Sequence, residues 1–361
     1  MRRSMVLSHR NRIAYASDPV MPLPPGAMRV APVFAGVCGT DLDIVRRMRD
    51  DVPSVLGHEV VARVVETADT GLRGRHVAVN PVSGADPTRN FGHSIPGVWT
   101  TQRIVTRREL DDGHVVPWSS DEIGPEHALA EPVAAAVYAA ALMHLDRTPV
   151  RDVLIVGSGA IALTLALVLI ESDHSVTVAA GDVSHAEELA ERFSNLPGLR
   201  IAPRAAIAGA DQRFAAAAVA VSRGSCREAI GLALQTLEPG GVLDLVSAVK
   251  PGSMRACALT SFDDLAQVRW RNCRGSPPEG HRLPGRGPNG VYVAVGQRGA
   301  STGHLATAMR LIEERRPRFR QLVSHVVPFE EAADLVEALA RDRATRVDGR
   351  RVAKAVISFA R

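Results

Sequence analysis

Short apolar runs separated by Pro, Gly and Asp dominate the first 150 residues, and helical periodicity is missing over long stretches of this part. Runs of this kind, rich in valine and bounded by turn-forming residues, are typical of β-strands. We predict strands over residues 5–7, 28–34, 60–66, 76–80 and 99–105, and helical segments over 41–49 and 133–145. Residues 1–150 are therefore predicted to form a compact, mostly β domain.

The pattern changes at residue 151, where apolar runs begin to alternate with helical segments. Residues 153–156 are wholly apolar, as expected for a parallel strand that is covered on both faces. Strands that alternate with helices predict a doubly wound parallel sheet. The later elements are predicted as helices over 161–170, 226–237, 302–314 and 329–341, and as strands over 175–179, 213–220, 242–246, 291–295 and 352–359.

The turn after residue 156 carries the first candidate chemistry. Its sequence, GSGAIA over 157–162, fits G-x-G-x-x-G/A, in which the first glycine permits a tight turn and the second lets a pyrophosphate approach the backbone. Two other interpretations stay open: a membrane-spanning helix, because residues 153–170 are 18 positions without a charge, and a buried βαβ unit without a ligand. Two glycines and a serine within that run disfavour the membrane helix. We predict a dinucleotide site formed by Gly157, Ser158, Gly159, Ala160 and Ile161, with Asp182 and Ser184 beyond the next strand.

The end of that next strand bears on which dinucleotide binds. Dinucleotide-binding βαβ units that use NAD have an acidic residue at the end of the second strand, where it binds the ribose hydroxyls. Here Ala180 or Gly181 stands at that place and leaves room for a 2′-phosphate, with Ser184 and His185 as contacts. No arginine follows, and Asp182 could reach the ribose after a small shift. The sequence therefore favours NADP(H) over NAD(H) only slightly.

Composition narrows the class of protein. At 361 residues, 46% of them hydrophobic, the chain is long enough for two separate cores. The net charge of +4 is mild and the arginines are scattered, so neither nucleic acid nor a membrane is an expected partner. The N-terminal residues lack the apolar segment of a secretory signal. The cysteines form no CxxC pair, which is typical of reduced thiols in a cytoplasmic protein; they are Cys38, Cys226, Cys257 and Cys273.

A second set of residues supplies the sulfur, nitrogen and oxygen donors that Zn²⁺ prefers. Its members lie where turns begin or end predicted elements; they are Cys38, His58, Glu59 and Glu131. A thiolate, an imidazole and carboxylates also leave one position for water or a substrate oxygen. Taken singly, however, a buried cysteine is usually a small hydrophobe and a lone histidine a satisfied polar group. Spacing alone leaves both interpretations open.

The order of these motifs resembles the zinc-dependent medium-chain dehydrogenase/reductase family, especially its polyol and threonine dehydrogenase branches. The resemblance covers almost the whole chain. The residues that carry it are Cys38-Gly39-Thr40-Asp41, Gly57-His58-Glu59, Gly74-Arg75-His76-Val77, Glu131-Pro132, the glycine turn at 157–162 and Pro239-Gly240-Gly241.

The resemblance implies a fold and a ligand set. The fold is α/β, with a GroES-like β-rich catalytic domain over 1–150 and 296–361 and a doubly wound Rossmann cofactor domain over 151–295. Cys38 and His58 are implied to be ligands of one catalytic Zn²⁺. Glu59 and Glu131 are implied to be a direct ligand and a ligand or water partner, in an order that the sequence leaves open. Asp41 would orient His58.

The chain departs from the family pattern in three places, and one of them is Ala62, which replaces the usual glycine five residues after Gly57. The four-cysteine structural zinc lobe would fall near 83–98, where no cysteine occurs, so we predict no structural zinc. Asp43 stands where many members carry a proton-relaying histidine, and it is either a relay or a solvated acid at the start of a helix. Residues 250–290 lose the regular pattern and form part of a substrate mouth, a subunit contact or a surface excursion.

The resemblance implies an oxidoreductase that transfers a hydride between NAD(P)(H) and a secondary alcohol or ketone, with Thr40, Asp43 and Glu131 as catalytic residues. Thr40 would pass the substrate proton toward the cofactor ribose, unless it only caps the helix predicted from Asp41. The Glu131-Pro132 motif resembles branches that act on a sugar, polyol or aminocyclitol, and a homodimer or homotetramer is expected. The rival functions are a zinc-free quinone or enoyl reductase on the same fold and a non-catalytic cofactor-binding protein. The ligand set disfavours the first rival, and the intact ligands together with Thr40 disfavour the second.

Overall fold

The computed structural model describes residues 1–8, 12–51, 53–82, 86–146, 149–247, 262–274, 280–341 and 345–359. In chain order its strands are β1 Arg2–Leu7, β2 Ile13–Asp18, β3 Met28–Gly36, β4 Val60–Thr67, β5 His76–Val79, β6 Arg103–Val105, β7 Val115–Pro117, β8 Asp152–Val156, β9 Ser175–Ala180, β10 Leu199–Pro203, β11 Phe214–Val219, β12 Leu237–Asp244, β13 Leu283–Gly287, β14 Gly290–Val295, β15 Val323–Pro328, β16 Arg346–Val347, β17 Arg350–Arg351 and β18 Lys354–Ser358. Its helices are α1 Gly39–Val45, α2 Arg107–Asp111, α3 Ala130–Leu142, α4 Ala160–Ile170, α5 Val183–Arg192, α6 Arg204–Ala208, α7 Cys226–Thr236, α8 Phe262–Arg271, α9 Thr302–Glu314, α10 Arg316–Arg320 and α11 Ala332–Ala340.

The chain forms two compact units, the first comprising Met1–Ala134 with Ser301–Arg361 and the second Ala135–Ala300. The first boundary therefore lies within α3, whereas the sequence placed it after residue 150. The cause is that α3 contributes only its first turn to the first unit. The second boundary follows Ala300 instead of residue 295, because the chain beyond β14 still belongs to the second unit.

The first unit is built on a β-sheet with the strand order β15-β18-β3-β4-β5-β7, and β6 pairs with β3. β18 and β4 both run antiparallel to β3. Along β4, Val60, Ala62 and Val64 point into the core of the unit, as the alternation of side chains in a strand requires. The last strand of the chain is thus hydrogen-bonded beside β3, the strand that leads to Cys38.

The second unit contains a seven-stranded sheet with the order β10-β9-β8-β11-β12-β14-β13. All neighbours are parallel except the pair of β13 and β14. The strand order reverses beside β8, because β9 and β10 lie on one side of it and β11 and β12 on the other. This is the doubly wound arrangement predicted from the alternation of strands and helices, and the predicted α/β fold is confirmed.

Several element bounds differ from those that the sequence predicted. α1 ends at Val45 instead of residue 49, because Arg47 adopts a left-handed backbone with φ of 55°. Only the end of the predicted strand 99–105 is β6, since the backbone of Trp99 is hydrogen-bonded to Leu56. Within 250–290, where no pattern was recognised, α8 and β13 are present; residues 248–261 and 275–279 of that stretch lie outside the described residues.

The apolar run at 153–170 is divided between strand β8 and helix α4, so it is not one continuous helix. Among the described residues, no helix is both long and apolar enough to cross a membrane. The membrane-spanning interpretation of this run is therefore wrong.

Candidate metal centre and dinucleotide site

Cys38 lies at the point where β3 gives way to α1. It is the N-cap of α1, and its backbone N–H donates to Oδ2 of Asp41 at 3.0 Å. The Asp41 side chain is fully buried. This contact fixes the turn that presents the Cys38 thiol, and it shows that the helix begins before Thr40.

Asp41 also holds the segment that carries His58. Its Oδ1 accepts a hydrogen bond from the Gly57 N–H at 3.2 Å and lies 3.4 Å from Nδ1 of His58. Burial lowers the pKa of His58, but the charges of Asp41 and Cys38 outweigh burial and raise it well above its usual value. Because Nδ1 faces the carboxylate, Nε2 is the ring nitrogen left for a ligand, as in many metal sites.

Glu59 is brought to the same place by the pairing of β3 with the chain entering β4. The Gly36 N–H donates to the carbonyl of Glu59 at 2.9 Å, and the Glu59 side chain folds back over Gly36. A Cβ atom on Gly36 would lie 1.9 Å from Oε2 of Glu59. A glycine is therefore required at position 36 for this carboxylate to occupy its place.

These contacts bring Cys38, His58 and Glu59 together, with one ligand atom from each lying within 4.8 Å of the others. One sulfur, one nitrogen and one oxygen donor at this separation fit the preferences of Zn²⁺ and leave a fourth position open. Glu131, at the start of α3, is outside this cluster of three but interacts electrostatically with His58 and Glu59. Burial raises the pKa of Glu131 to about 7, with His58 opposing the shift and Glu59 adding to it.

The two candidate proton-transfer residues both lie in α1. Thr40 is half-buried in the first turn of α1. From the sequence, helix capping is the alternative role of Thr40, but the N-cap of α1 is Cys38. That alternative for Thr40 is therefore wrong. Asp43 is also half-buried, and its Oδ1 lies 3.6 Å from Nη1 of Arg46, so it is not a freely solvated acid.

Two further residues at this centre were missed by sequence reasoning. Lys354, in β18, forms an ion pair with Glu59. His93 contacts the ring of His58, with centroids 5.0 Å apart, and its Nδ1 lies 3.3 Å from Nη2 of Arg49. Burial, His58 and Arg49 lower the pKa of His93 to about 3. His93 belongs to the cysteine-free stretch 83–98, in which Gly92 and Gly97 lie against the backbone of Gly57 through contacts that no spacing in the sequence reveals.

The second unit carries the glycine turn between β8 and α4. Gly157 has φ of +131°, and a Cβ atom there would lie 2.1 Å from the carbonyl oxygen of Ala220, so no other residue fits. Gly159 is the N-cap of α4, and nothing lies within 4 Å of the place where its Cβ would be. Together with the N–H groups of Ala160 and Ile161, this open backbone fits a phosphate at the helix N-terminus.

The residues after β9 are arranged around the first turn of α5. Asp182 is the N-cap of this helix, and its Oδ1 accepts a hydrogen bond from the His185 N–H at 2.8 Å. Nδ1 of His185 lies 3.4 Å from Oγ of Ser158, which links this turn to the glycine turn. Ser184 is exposed, and its Oγ donates to Glu188 at 3.5 Å. Asp182 therefore already has a structural partner.

Comparison with known proteins places three of the candidate metal ligands, Cys38, His58 and Glu59, in a recognised domain. Residues 24–110 match the alcohol dehydrogenase GroES-like domain. The starvation-sensing protein RspB of Escherichia coli K12 is 29% identical over 182 residues; the match spans 46% of this chain and 53% of RspB, about half the length of that relative.

Solved structures resemble the chain over its full length. A Haloferax mediterranei glucose dehydrogenase in complex with NADP, Zn and gluconolactone has a TM-score of 0.75 at 16% identity and covers 100% of both chains. The alcohol dehydrogenase rspB of Escherichia coli CFT073, complexed with NADH, has a TM-score of 0.73 at 17% identity and covers 99% of both chains. At this level of identity the likeness concerns the fold. Residues 24–110 of the first unit therefore match an alcohol dehydrogenase GroES-like domain, and the chain as a whole shares its fold with dehydrogenases of known structure.

Proposed function

We propose that the chain is a zinc-dependent oxidoreductase that transfers a hydride between NAD(P)(H) and a secondary alcohol or ketone. The observation that carries this proposal is the convergence of Cys38, His58 and Glu59 within 4.8 Å of one another. The same chain holds, in its second unit, a glycine turn whose backbone can accept a pyrophosphate. A zinc-free reductase would have no use for the first of these features.

The donor set defines what each residue contributes. Cys38, His58 and Glu59 would hold the zinc, and Asp41 fixes the position of both Cys38 and His58. A zinc ion bound by these donors supplies a Lewis acid that polarises the oxygen of the substrate. Glu131 interacts electrostatically with His58 and Glu59. We assign it to the fourth position of the metal centre, either as a direct ligand or as the partner of a bound water.

The proton released from a substrate hydroxyl needs acceptors on the protein. Thr40 is two residues from Cys38 and lies in the first turn of α1; we assign its hydroxyl to exchange a proton with a substrate oxygen at the centre. Asp43 is one turn further along the same helix, and its contact with Arg46 keeps it partly shielded from solvent. We assign Thr40 as a relay, whose hydroxyl accepts the substrate proton while its own proton passes toward the cofactor ribose, and Asp43 as the group that hands the proton on to solvent.

We further infer that the substrate is hydroxyl-rich, of the sugar, polyol or aminocyclitol class, and that NADP(H) is the better cofactor. The Glu131-Pro132 motif supports the substrate class. The cofactor preference is supported by the small Ala180 at the end of β9 and by the use of the Asp182 carboxylate as a helix cap. A ribose-binding acid would have to be free for NAD.

The test is a turnover screen of the purified protein with both cofactors against sugars, polyols, amino sugars and simple secondary alcohols. We expect activity on a hydroxyl-rich member of the panel, with kcat/KM a few-fold higher for NADP(H). A strong NAD(H) preference that collapses in Asp182→Ala would overturn the cofactor assignment. Absence of turnover by a zinc-loaded protein that binds NADPH would overturn the proposed reaction.

A further inference from the structure

Lys354 is a buried cation that reaches the metal centre from the last strand of the chain. Its Nζ donates to Oε2 of Glu59, 295 residues away in sequence, and to the carbonyl oxygen of Val37 at 3.1 Å. Only 2% of each side chain of the Lys354–Glu59 pair is exposed. The ammonium group is therefore fixed between the carboxylate of one candidate ligand and the residue that precedes another, Cys38.

The surroundings of Lys354 contain an excess of acidic groups. Besides Glu59, Lys354 interacts electrostatically with Cys38, Asp41 and Glu131. The other titratable bases at this centre are His58 and His93. A buried charge that loses its partner strongly destabilises a protein. Without Lys354, the carboxylate of Glu59 would lose the cation that lies against its Oε2.

The choice of lysine at this position is informative because the chain hardly uses it. Of the 43 basic residues only two are lysines, Lys250 and Lys354; all others are arginines. A guanidinium is planar and broad, whereas an ammonium is a compact charge with three donors. The carboxylate of Glu59 is packed so closely over Gly36 that even a Cβ would collide with it. The compact cation fits this space.

We propose that Lys354 is the resident counter-ion of the metal centre: its ammonium group pairs with Oε2 of Glu59 and neutralises this carboxylate in the metal-free chain. The metal part of this inference rests on the proposed function. Because zinc brings its own positive charge to the same carboxylate, it takes over much of the neutralising role of Lys354. Lys354 should therefore matter more to the metal-free protein than to the zinc-loaded one.

The first experiment is a double-mutant cycle on chelated, metal-free protein, with urea denaturation as the readout. Lys354→Met leaves Glu59 without its counter-ion, and Glu59→Gln leaves Lys354 unpaired, so we expect each to be strongly destabilised. The double variant E59Q/K354M removes both charges and should recover most of that loss, since the two residues are directly coupled. If the two losses simply add in the double variant, the counter-ion assignment is wrong.

The second experiment adds zinc and measures melting temperature and zinc affinity by competition with a chromophoric chelator. We expect the zinc-induced rise in Tm to be larger in K354M than in wild type, and its Kd for zinc to be lower by about tenfold or more, because a like charge near the ion has gone. The control is Arg29→Met, which breaks another ion pair of the same unit, that of the buried Arg29 with the half-exposed Glu66 at 2.8 Å, and should lower Tm equally with and without zinc.

The counter-ion assignment of Lys354 and the proposed zinc-dependent function are contradicted by different results. If K354M behaves like R29M, with equal losses in both states, Lys354 is only a packing residue and the inference is overturned. If the wild-type protein takes up no zinc, the proposed function is overturned, and the metal-free cycle still decides whether Lys354 is the counter-ion of Glu59.

Discussion

A buried carboxylate in the second unit gives the most quantitative prediction. Asp244 ends β12, is 0% exposed, and neither of its oxygens has a hydrogen-bond partner among the described residues. Burial raises the pKa of Asp244 from 3.8 to about 7, and the charge of Arg269 offsets only part of this shift. The folded protein therefore keeps a proton on Asp244 that the unfolded chain releases.

The sign and size of the effect on stability follow from linkage. Since the pKa of Asp244 is higher in the folded state, the stability that it contributes is present below pH 3.8 and is lost as the pH rises from there through about 7. Between pH 5 and pH 9 this amounts to about 3 kcal/mol of unfolding free energy. Asp244→Asn removes the titration while keeping the shape of the side chain.

The assay is urea denaturation of chelated, nucleotide-free protein at pH 5 and pH 9, followed by circular dichroism. We expect the stability of Asp244→Asn relative to wild type to improve by about 3 kcal/mol between the two pH values. Asp211→Asn, at a fully exposed carboxylate of the same unit, is the control and should show no such change. An equal difference between D244N and wild type at both pH values would refute the reasoning, because Asp244 would then be ionised in the folded state throughout.

Three further predictions concern the first unit. Thr40→Ala should lower kcat by about 10²–10⁴-fold, and Thr40→Ser should keep most of the activity. Because Cys38 caps α1, the Tm of T40A should stay near that of wild type. A large fall in Tm with near-normal turnover would contradict the proton-transfer role of Thr40. Cys38→Ala and His58→Ala should each abolish turnover. Both variants should still bind NADPH, as measured by NADPH fluorescence, since neither residue belongs to the second unit. Loss of NADPH binding would count against a metal centre in the first unit and a separate dinucleotide site in the second. Burial opposes ionisation of Glu126, but its contacts with His127 and Arg316 lower its pKa to about 2. The stability that Glu126 contributes is therefore lost as the pH falls from 4.5 toward 2. Urea denaturation should show this fall in unfolding free energy in wild type and not in Glu126→Gln.

The fold was predictable where the pattern of the chain is local. The strand at 153–156, the glycine turn and the helix after it follow from an apolar run, Gly157 and the absence of charge, and β8 and α4 begin within one residue of the predicted positions. The unit boundary was not predictable, because α3 is one continuous alanine-rich helix and its division depends on which neighbours each turn packs against. β13 also escaped recognition, since its sequence LPGRG lacks alternation and its strand conformation comes from pairing with β14.

The candidate site was predictable as far as residue chemistry could show it. Cys38, His58 and Glu59 were chosen for their donor atoms, and the structure brings those three together. Lys354 could not be found in this way, because β18 reaches Glu59 only through its pairing with β3. Its rarity in a chain of arginines was the one available signal. His93 gave no signal at all, since its approach to His58 depends on Gly92 and Gly97 packing against the backbone of Gly57.

The zinc content of the purified protein, measured by mass spectrometry of the element after extensive dialysis, tests the central claim most directly. The account predicts about one zinc per chain in the wild type, because one set of three donors converges among the described residues and the sequence has no four-cysteine lobe. In Cys38→Ser and in His58→Ala the content should fall close to zero while the circular dichroism spectrum is retained. A wild-type protein with no zinc, or variants that keep their zinc, would contradict the claim that Cys38, His58 and Glu59 form a metal centre.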